Sequence, residues 1–347
     1  MKILFAGSSS IAVPSFISLS EMECRGEDIQ LMGVLTNPDT PRGRKEIKVP
    51  TDISSAAAAI AGVRAEKGLP SVAEFKFDKL NAQAREQIAV LGCDLLVCFA
   101  YGSIFGPKFL SLFSRGGINI HPSLLPRFRG PSPIPAAILN RDKETGITIQ
   151  GIAGEMDCGD IFVQEKIPLY GSETAFSLGE TVAAKAALML PQFLRRFLDG
   201  TARAVPQTGE PVYCSLIRRE MARIDWELPA AEIDAMVRAY NPWPLCHTRW
   251  EEEDLYILEG HVLENEAKIP ADTGMSGCIP VITGFYYSGY KPHLTGTVLG
   301  IDRDHGILVQ TGDGVYAVSR LQRQAKKAMD WKSFLNGVRD FSGSLLE

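Results

Sequence analysis

The strongest constraint on the fold is a continuous apolar run, residues 94–100, which follows a helical pattern over residues 80–91. A run without polar alternation is typical of a strand that helices cover on both faces. Residues 3–6 and 29–36 form similar runs, and a helical pattern separates each run from the next. This alternation of strand and helix predicts an α/β fold with a doubly wound, mostly parallel sheet.

The pattern of apolar and polar residues changes beyond residue 200, and this change predicts two domains in the 347 residues. The first domain spans residues 1–200, and the Pro- and Gly-containing stretch 201–211 is predicted to be a linker. In the second domain, 212–347, short alternating runs such as 255–258 favour strands. We therefore expect a small antiparallel barrel of the OB-like type in this half.

Composition excludes several classes of protein. The formal net charge of -5 and the pI of about 5.7 give no sign of a broadly basic, nucleic-acid-binding domain. The seven cysteines are scattered without a C-x-x-C pair, which argues against a disulfide framework and a structural zinc site and favours a reducing compartment. No stretch approaches the length of a membrane-spanning helix, and residues 1–7 predict a strand rather than a signal peptide. We expect a cytoplasmic protein that contacts no membrane.

His121 is the only one of the five histidines in the predicted first domain. It lies two residues after Asn119 on a predicted strand, so both side chains point to the same face. They also lie at the carboxyl end of that strand, where open α/β sheets bind ligands. Spacing alone leaves a second interpretation open, in which this polar pair only satisfies the backbone of a loop.

A second candidate element is the glycine-flanked turn at residues 154–160, which contains Asp157 and Asp160. A carboxylate in such a turn can approach a histidine closely, raise its pKa and fix its orientation. The alternative is an ordinary turn that uses Asp and Gly for their backbone geometry. We favour this alternative for Asp160 and a functional role for Asp157.

Together these segments resemble the folate-dependent formyltransferases, in which an Asn, a His followed by Ser-Leu-Leu-Pro, and a later Asp recur. The run 118–130 and the Asp157 turn carry the resemblance. It implies catalytic roles for Asn119, His121 and Asp157, with 10-formyltetrahydrofolate as co-substrate. It also implies a folate site bordered by Ser123, Leu124, Leu125 and Pro126. From the residues alone, this proline-bounded loop could equally just turn the chain.

The chemistry of formyl transfer suits these groups. An amine attacks the formyl carbon and forms a tetrahedral oxyanion, to which the amide of Asn119 and a protonated His121 could donate. Asp157 would hold His121 in register and help to move the proton of the amine. We expect no metal, because the sequence contains no ligand set with suitable spacing. A G-x-G-x-x-G motif is also missing after the first strand, which argues against a dinucleotide enzyme.

The resemblance continues through residues 37–39, 222–226, 240–244 and 324–329. These segments are similar to the branch of the family whose members formylate methionyl initiator tRNA. Two departures stand out. Cys158 occupies a position where a small hydroxyl residue or alanine is more usual, and the Gly- and Pro-rich insertion at 265–293 is longer than expected.

Basic residues fall into local patches on this acidic chain. The first patch follows the second predicted strand, a second contains Arg127 and Arg129, and a third lies near the end of the predicted barrel. The residues that we assign to tRNA binding are Arg42, Arg44, Lys45, Lys48, Lys326 and Lys327. Each patch alone would be interpreted as a solvated face, but three patches at family positions favour contacts with phosphate.

Four alternatives stay open at this point. A sibling enzyme could use the same residues on a sugar nucleotide or on glycinamide ribonucleotide, a purine precursor, although neither substrate needs Lys326 and Lys327. A formyl-folate hydrolase would replace the amine by water. A non-catalytic RNA-binding protein is disfavoured by the intact Asn119, His121 and Asp157. Identifying the acceptor that gains the formyl group would separate all of these possibilities.

Overall fold

A computed structural model describes residues 1–42, 46–263, 294–338 and 340–347, with only the backbone of Arg42. The insertion at 265–293 therefore lies outside the described residues. The chain forms two compact units. The first unit comprises Met1–Ile134, Lys143–Leu169 and Ser177–Ser215, and the second comprises Pro135–Asp142, Tyr170–Phe176 and Leu216–Glu347. Residues 201–211, which were predicted to be a linker, belong to the first unit, and the predicted domain boundaries stay a prediction.

Nine strands lie in the described part of the first unit. They are β1 (Lys2–Ala6), β2 (Gln30–Thr36), β3 (Thr40–Arg42), β4 (Ile47–Val49), β5 (Ala73–Lys76), β6 (Leu95–Cys98), β7 (Gly117–His121), β8 (Glu144–Gly151) and β9 (Ile161–Pro168). Seven of them form one sheet in the order β5-β2-β1-β6-β7-β8-β9. From β1 the chain adds β2 and then β5 at one edge, and it continues with β6 on the other side of β1. The strand order therefore reverses between β1 and β6.

Strand direction confirms the predicted sheet type. The neighbours β5, β2, β1, β6 and β7 all pair in parallel, whereas β8 and β9 add two antiparallel strands at one edge. Leu4, Phe5, Leu96 and Val97 on the central strands are fully buried. Complete burial of successive residues requires cover on both faces, which explains the lack of polar alternation in the sequence.

The helices described in residues 1–200 include one at the predicted position 80–91. They are α1 (Val13–Cys24), α2 (Asp52–Glu66), α3 (Ala82–Ala89), α4 (Pro107–Leu110), α5 (Pro133–Leu139) and α6 (Ala175–Leu198). Side chains at the N-caps set two of the starts, because Thr51 accepts from the backbone N–H of Ser54 and Asn81 from that of Ala84. After β2, the short strands β3 and β4 pair as an antiparallel hairpin, which sequence analysis did not predict.

The second unit is built on an antiparallel sheet. Its elements are α7 (Ala230–Ala239), β10 (Cys246–Trp250), β11 (Glu253–Val262), β12 (Val298–Asp302), β13 (Gly306–Gln310), β14 (Val315–Arg323), β15 (Met329–Asp330) and α8 (Trp331–Asn336). The strand order is β10-β11-β14-β13-β12, and β15 pairs with β14. Trp226, Trp250 and Phe334 belong to its buried core.

The predicted OB-like closure of this sheet is not confirmed. Among the described strands, the edges β10 and β12 do not pair with each other. The last residues of the chain bond to both sides instead. Glu347 exchanges backbone hydrogen bonds with Arg249 at 2.7 and 2.9 Å, and Leu346 donates to the carbonyl of Gly296 at 2.9 Å. The described part of the chain contains no helix long and apolar enough to cross a membrane.

Candidate active site

The site begins at the carboxyl end of β7, which carries Asn119 and His121. This strand lies between β6 and β8, so that Asn119 is flanked by Cys98 on one side and Gln150 on the other. The spacing of two residues turns Asn119 and His121 to one face of the sheet, as predicted. Gln150 is the direct cross-strand neighbour of Asn119, so its side chain points to that same face.

Asp157 brings its carboxylate to these side chains. Its Oδ1 accepts from Nδ2 of Asn119 at 3.2 Å and from Nε2 of Gln150 at 3.0 Å. Its Oδ2 accepts from the backbone N–H of Gly130 at 2.8 Å. Nδ1 of His121 lies 3.6 Å from Oδ1, and the Asp157 side chain is only 10% exposed. The carboxylate thus accepts hydrogen bonds from three donors and lies beside one imidazole.

The backbone of the turn explains how the carboxylate reaches this position. Asp157 has φ 54°, in the left-handed region that Asp adopts more readily than most side chains. Two residues later, a Cβ at Gly159 would overlap the carbonyl oxygen of Gly151. Only glycine lets the turn pack so closely against the end of β8. Asp160, in contrast, is exposed, as expected for an ordinary turn residue.

His121 is only 4% exposed, and both of its ring nitrogens face protein groups. Nε2 lies 2.8 Å from the carbonyl oxygen of Phe128. A carbonyl can only accept, so Nε2 carries a hydrogen, and Nδ1 is the nitrogen that gains and loses a proton. Burial lowers the pKa of His121 below its usual 6.5, although the charge of Asp157 and the bond to Phe128 oppose this shift.

This geometry bears on the predicted role of a protonated His121 as an oxyanion donor. Burial favours the neutral imidazole, and the Nε2 hydrogen is already engaged by a backbone carbonyl. The arrangement suits a proton acceptor at Nδ1 better than an oxyanion donor. The catalytic roles of Asn119, His121 and Asp157 stay predictions, but the structure brings all three side chains together.

The predicted folate loop, with Ser123, Leu124, Leu125 and Pro126, follows β7 directly. The hydroxyl of Ser123 donates to the carbonyl of Arg127 at 2.6 Å. Thr148 donates to the carbonyl of Ser123 at 2.7 Å and accepts from the N–H of Leu125 at 3.3 Å. Ser123 and Leu125 are buried, and Leu124 and Pro126 are half-buried. The loop is therefore fixed from inside, and its contact with folate stays a prediction.

Sequence analysis missed two glutamines at the site, Gln150 and Gln207. Gln207 contacts both Asp157 and Gly159 through their carbonyls. Neither glutamine belongs to a motif with chemical meaning, although Gln150 could have been noticed on the predicted strand at 147–151. Arg129, placed in a basic patch from the sequence, instead directs Nε and Nη2 to Oε1 of Gln207.

The residues predicted to bind tRNA fall into two groups. Lys48 is exposed on β4, while Arg44, Lys45 and the side chain of Arg42 lie outside the described residues. Lys326 and Lys327 are exposed between β14 and β15 of the second unit. Arg320 and Arg323, which lie close to them in the sequence, form ion pairs with Glu259 and Glu253. Phosphate binding by any of these residues stays a prediction.

Comparison with protein families identifies both halves of the chain. Residues 1–194 match the family model described as "Formyl transferase", and residues 216–339 match "Formyl transferase, C-terminal domain". The chain therefore belongs to the formyl transferase family. No group of three or more His, Cys, Asp or Glu side chains is placed to hold a metal ion within the described ranges.

Curated relatives match along the whole length. A methionyl-tRNA formyltransferase from Treponema denticola is 44% identical over 345 residues, covering 98% of each chain. The corresponding protein from Treponema pallidum is 38% identical over 339 residues, covering 97% of this chain and 96% of that one. A methionyl-tRNA formyltransferase from Borreliella burgdorferi is 33% identical over 345 residues, with 99% and 98% coverage.

Solved structures show the same fold at low identity. HypX from Aquifex aeolicus in complex with tetrahydrofolic acid gives a TM-score of 0.58 at 16% identity, covering 98% of this chain and 47% of that one. The sugar 3N-formyl transferase WlaRD gives 0.57 at 16%, with 94% and 99% coverage. A methionyl-tRNA formyltransferase from Clostridium thermocellum gives 0.52 at 14%, with 76% and 94% coverage.

Proposed function

We propose that the protein transfers the formyl group of 10-formyltetrahydrofolate to the amino group of methionyl initiator tRNA in the cytoplasm. The observation that carries the proposal is the coincidence of two facts. Relatives with this activity in their names match both halves of the chain. The residues that such chemistry needs, Asn119, His121 and Asp157, converge around one carboxylate.

The first step is attack of the amine on the formyl carbon, which turns the formyl oxygen into an oxyanion. The amide nitrogen of Asn119 carries two N–H groups, one of which holds Oδ1 of Asp157. The second N–H is the group that donates to the oxyanion. Because this charge develops only in the transition state, the donor acts on turnover more than on substrate binding.

The attacking amine must also lose a proton. Neutral His121 accepts it at Nδ1, and Asp157 at 3.6 Å stabilises the resulting imidazolium. Burial supports this assignment, since it lowers the pKa of His121 and keeps the base unprotonated at neutral pH. Collapse of the tetrahedral intermediate then breaks the bond to the folate nitrogen, which takes the proton from His121 as it leaves and restores the neutral imidazole.

Binding of the two substrates is assigned to separate surfaces. Ser123, Leu124, Leu125 and Pro126 border the folate, because this loop follows the catalytic strand directly. The phosphates of the tRNA contact Arg42, Arg44, Lys45 and Lys48. They also contact Lys326 and Lys327 on the second unit, whose charges are exposed to solvent.

The test is to mix the protein with formyl-labelled 10-formyltetrahydrofolate and four acceptors in separate reactions. The acceptors are methionyl initiator tRNA, uncharged tRNA, an amino-sugar nucleotide and glycinamide ribonucleotide. We expect label only on methionyl initiator tRNA, and no transfer with the Asp157→Asn variant. Label on either small acceptor, or release of labelled formate into water at the same rate without acceptor, would contradict the proposal.

A further inference from the structure

The segment after α6 returns across the first unit and is tied to it at several points. Val205 exchanges backbone hydrogen bonds with Ile161 at 2.8 and 2.9 Å. Arg129 donates to the carbonyl of Val212 at 2.9 Å and accepts from the N–H of Cys214 at 2.8 Å. These ladder bonds fix the backbone on both sides of Gln207, so its side chain starts from a defined position.

The amide nitrogen of Gln207 bridges the turn that carries Asp157. Nε2 donates to the carbonyl oxygens of Asp157 and Gly159, each at 2.8 Å. These carbonyls lie on either side of Cys158, so one amide clamps the turn at both ends. Oε1 of Gln150 lies 3.3 Å from the same nitrogen, and Nε2 of Gln150 holds the Asp157 carboxylate.

Arg129 fixes the orientation of that amide. Its Nε and Nη2 approach Oε1 of Gln207 at 3.0 and 2.6 Å, as a guanidinium fork does with a single oxygen acceptor. If the amide were rotated by 180°, its oxygen would lie against two carbonyl oxygens and its NH2 group against the guanidinium, so neither contact could be a hydrogen bond. Only one orientation of Gln207 therefore satisfies both sides.

The contacts close into a ring around the candidate base. Arg129 is followed by Gly130, whose N–H donates to the carboxylate of Asp157. It is preceded by Phe128, whose carbonyl accepts from His121. The Gln207–Arg129 pair thus joins the turn that bears Asp157 to the loop that orients His121.

We infer that Gln207, held by Arg129, is a positioning residue that sets the carboxylate of Asp157 against His121 and Asn119. The effect on rate rests on the proposed function, since it concerns the same reaction. The turn is held at the carbonyls of Asp157 and Gly159, and the oxygens of the Asp157 carboxylate accept three hydrogen bonds, so the carboxylate has little freedom to move. Misplacement by about 1 Å can lower a rate about a hundredfold, so removing the clamp should affect turnover.

Two variants separate the parts of the clamp. Gln207→Met keeps the length and removes every hydrogen bond. Gln207→Glu keeps an oxygen for Arg129 but turns the other oxygen towards two carbonyls. We expect both to lower kcat about a hundredfold while KM for folate and tRNA stays within about threefold, because binding groups are untouched.

A matched control is available in the second unit. Gln310 likewise donates from Nε2 to two backbone carbonyls, those of Thr311 at 2.9 Å and Gly314 at 3.4 Å. Gln310→Met removes the same type of bond, so its loss of melting temperature should resemble that of Gln207→Met. Its kcat should equal that of the wild type. If both variants lower kcat alike, the effect of Gln207 is structural and the inference fails.

A second measurement does not depend on activity. Titration of His121 by NMR, assigned with a His121→Gln variant, reports the distance of the Asp157 charge. That charge raises the pKa of His121, so its displacement in Gln207→Met should lower the pKa further. If Gln207→Met does not fold, Arg129→Lys, which keeps the charge and loses the fork, should show a smaller shift in the same direction.

The outcomes distinguish the two claims. A wild-type protein without formyl transfer to methionyl-tRNA would refute the proposed function, while the titration would still decide the role of Gln207. An unchanged pKa of His121 in Gln207→Met, with unchanged kcat where transfer occurs, would overturn the positioning role. A lowered pKa together with lowered kcat is the expected result.

Discussion

The two units of the chain differ in how they present the charges that we predict to act in catalysis and in tRNA binding. In the first unit, Asp157 is 10% exposed, and both carboxylate oxygens accept hydrogen bonds from neighbouring groups. In the second unit, Lys326 and Lys327 are exposed to solvent. The effect of a buried charge with all its hydrogen bonds made depends on its position to within fractions of an ångström. The effect of an exposed charge depends much less on position, because water and salt screen its field. The first should therefore control the chemical step and the second the binding of a polyanion.

The largest effect should come from Asp157→Asn. Loss of the negative charge removes the stabilisation of the His121 imidazolium, and we expect kcat to fall about a thousandfold, within the range that general acid–base catalysis supplies. The measurement is the initial rate of formyl transfer to methionyl-tRNA at saturating substrates. The conservative control is Asp160→Asn, in the same turn and exposed, which should keep the wild-type rate.

Two features of the turn determine how Asp157→Asn affects stability. An asparagine suits the positive φ of position 157, so the turn itself should persist. However, both oxygens of Asp157 accept hydrogen bonds. The NH2 group of an asparagine would therefore face a hydrogen-bond donor in either orientation of its amide. We expect a loss of about 1–3 kcal/mol in the free energy of unfolding. Near-normal turnover in a folded Asp157→Asn would remove Asp157 from the mechanism.

Asn119→Ala should have the next largest effect. Removal of one oxyanion donor lowers kcat about a hundredfold or more in comparable sites. Because the donor acts in the transition state, the dissociation constant of the folate should change little. Parallel measurements of kcat and of folate binding by calorimetry test this. A variant that binds folate weakly but turns over normally at saturation would show that Asn119 holds the substrate instead.

The sequence predicted those parts of the fold that leave a long periodic signal. The helical pattern at 80–91 corresponds to α3, and the apolar run at 94–100 contains β6, whose four residues are all buried. The hairpin of β3 and β4 was missed, since strands of three residues are too short to show alternation. The antiparallel pairing of β8 with both β7 and β9 was likewise not predicted, because the sequence analysis assigned no direction to individual strands of the sheet.

The candidate site was predicted in part for similar reasons. A spacing of two on a strand placed Asn119 and His121 on one face, whereas Asp157 was linked to them through the family resemblance. Gln207 could not be predicted, because it lies in a Pro- and Gly-containing stretch that gives no periodic signal. Its role depends on three carbonyl and guanidinium partners that only the folded chain brings together.

A smaller effect is expected from the double reversal Lys326→Glu/Lys327→Glu in the second unit. Exposed charges contribute by general attraction to phosphate, so KM for tRNA should rise about three- to tenfold at low salt, and the salt dependence should become shallower. The kcat should be unchanged. A matched reversal of Lys79 and Lys108, both exposed in the first unit, controls for net charge. Equal effects of the two double variants would show that Lys326 and Lys327 form no specific patch.

The smallest effect concerns pH. Burial lowers the pKa of His121 below 6.5, so protonation should inhibit only below this value. More than about half of the rate measured at pH 8 should remain at pH 6.5. The free energy of unfolding depends on pH in the same direction. As the pH falls, the unfolded chain takes up this proton before the folded chain does, so unfolding is favoured below about pH 6.5. An acid limb of the kcat profile centred above pH 7 would contradict the neutral, buried base.

The most direct test of the division between the units is a single-turnover experiment. The protein, saturated with formyl-labelled 10-formyltetrahydrofolate, is mixed in excess with methionyl initiator tRNA, and labelled tRNA is followed in time. The saturating rate should fall about a thousandfold in Asp157→Asn and stay at the wild-type value in Lys326→Glu/Lys327→Glu, which should only need more enzyme to saturate. A charge reversal that slows the saturated step as much as Asp157→Asn, or an Asp157→Asn variant with the wild-type rate, would contradict the account.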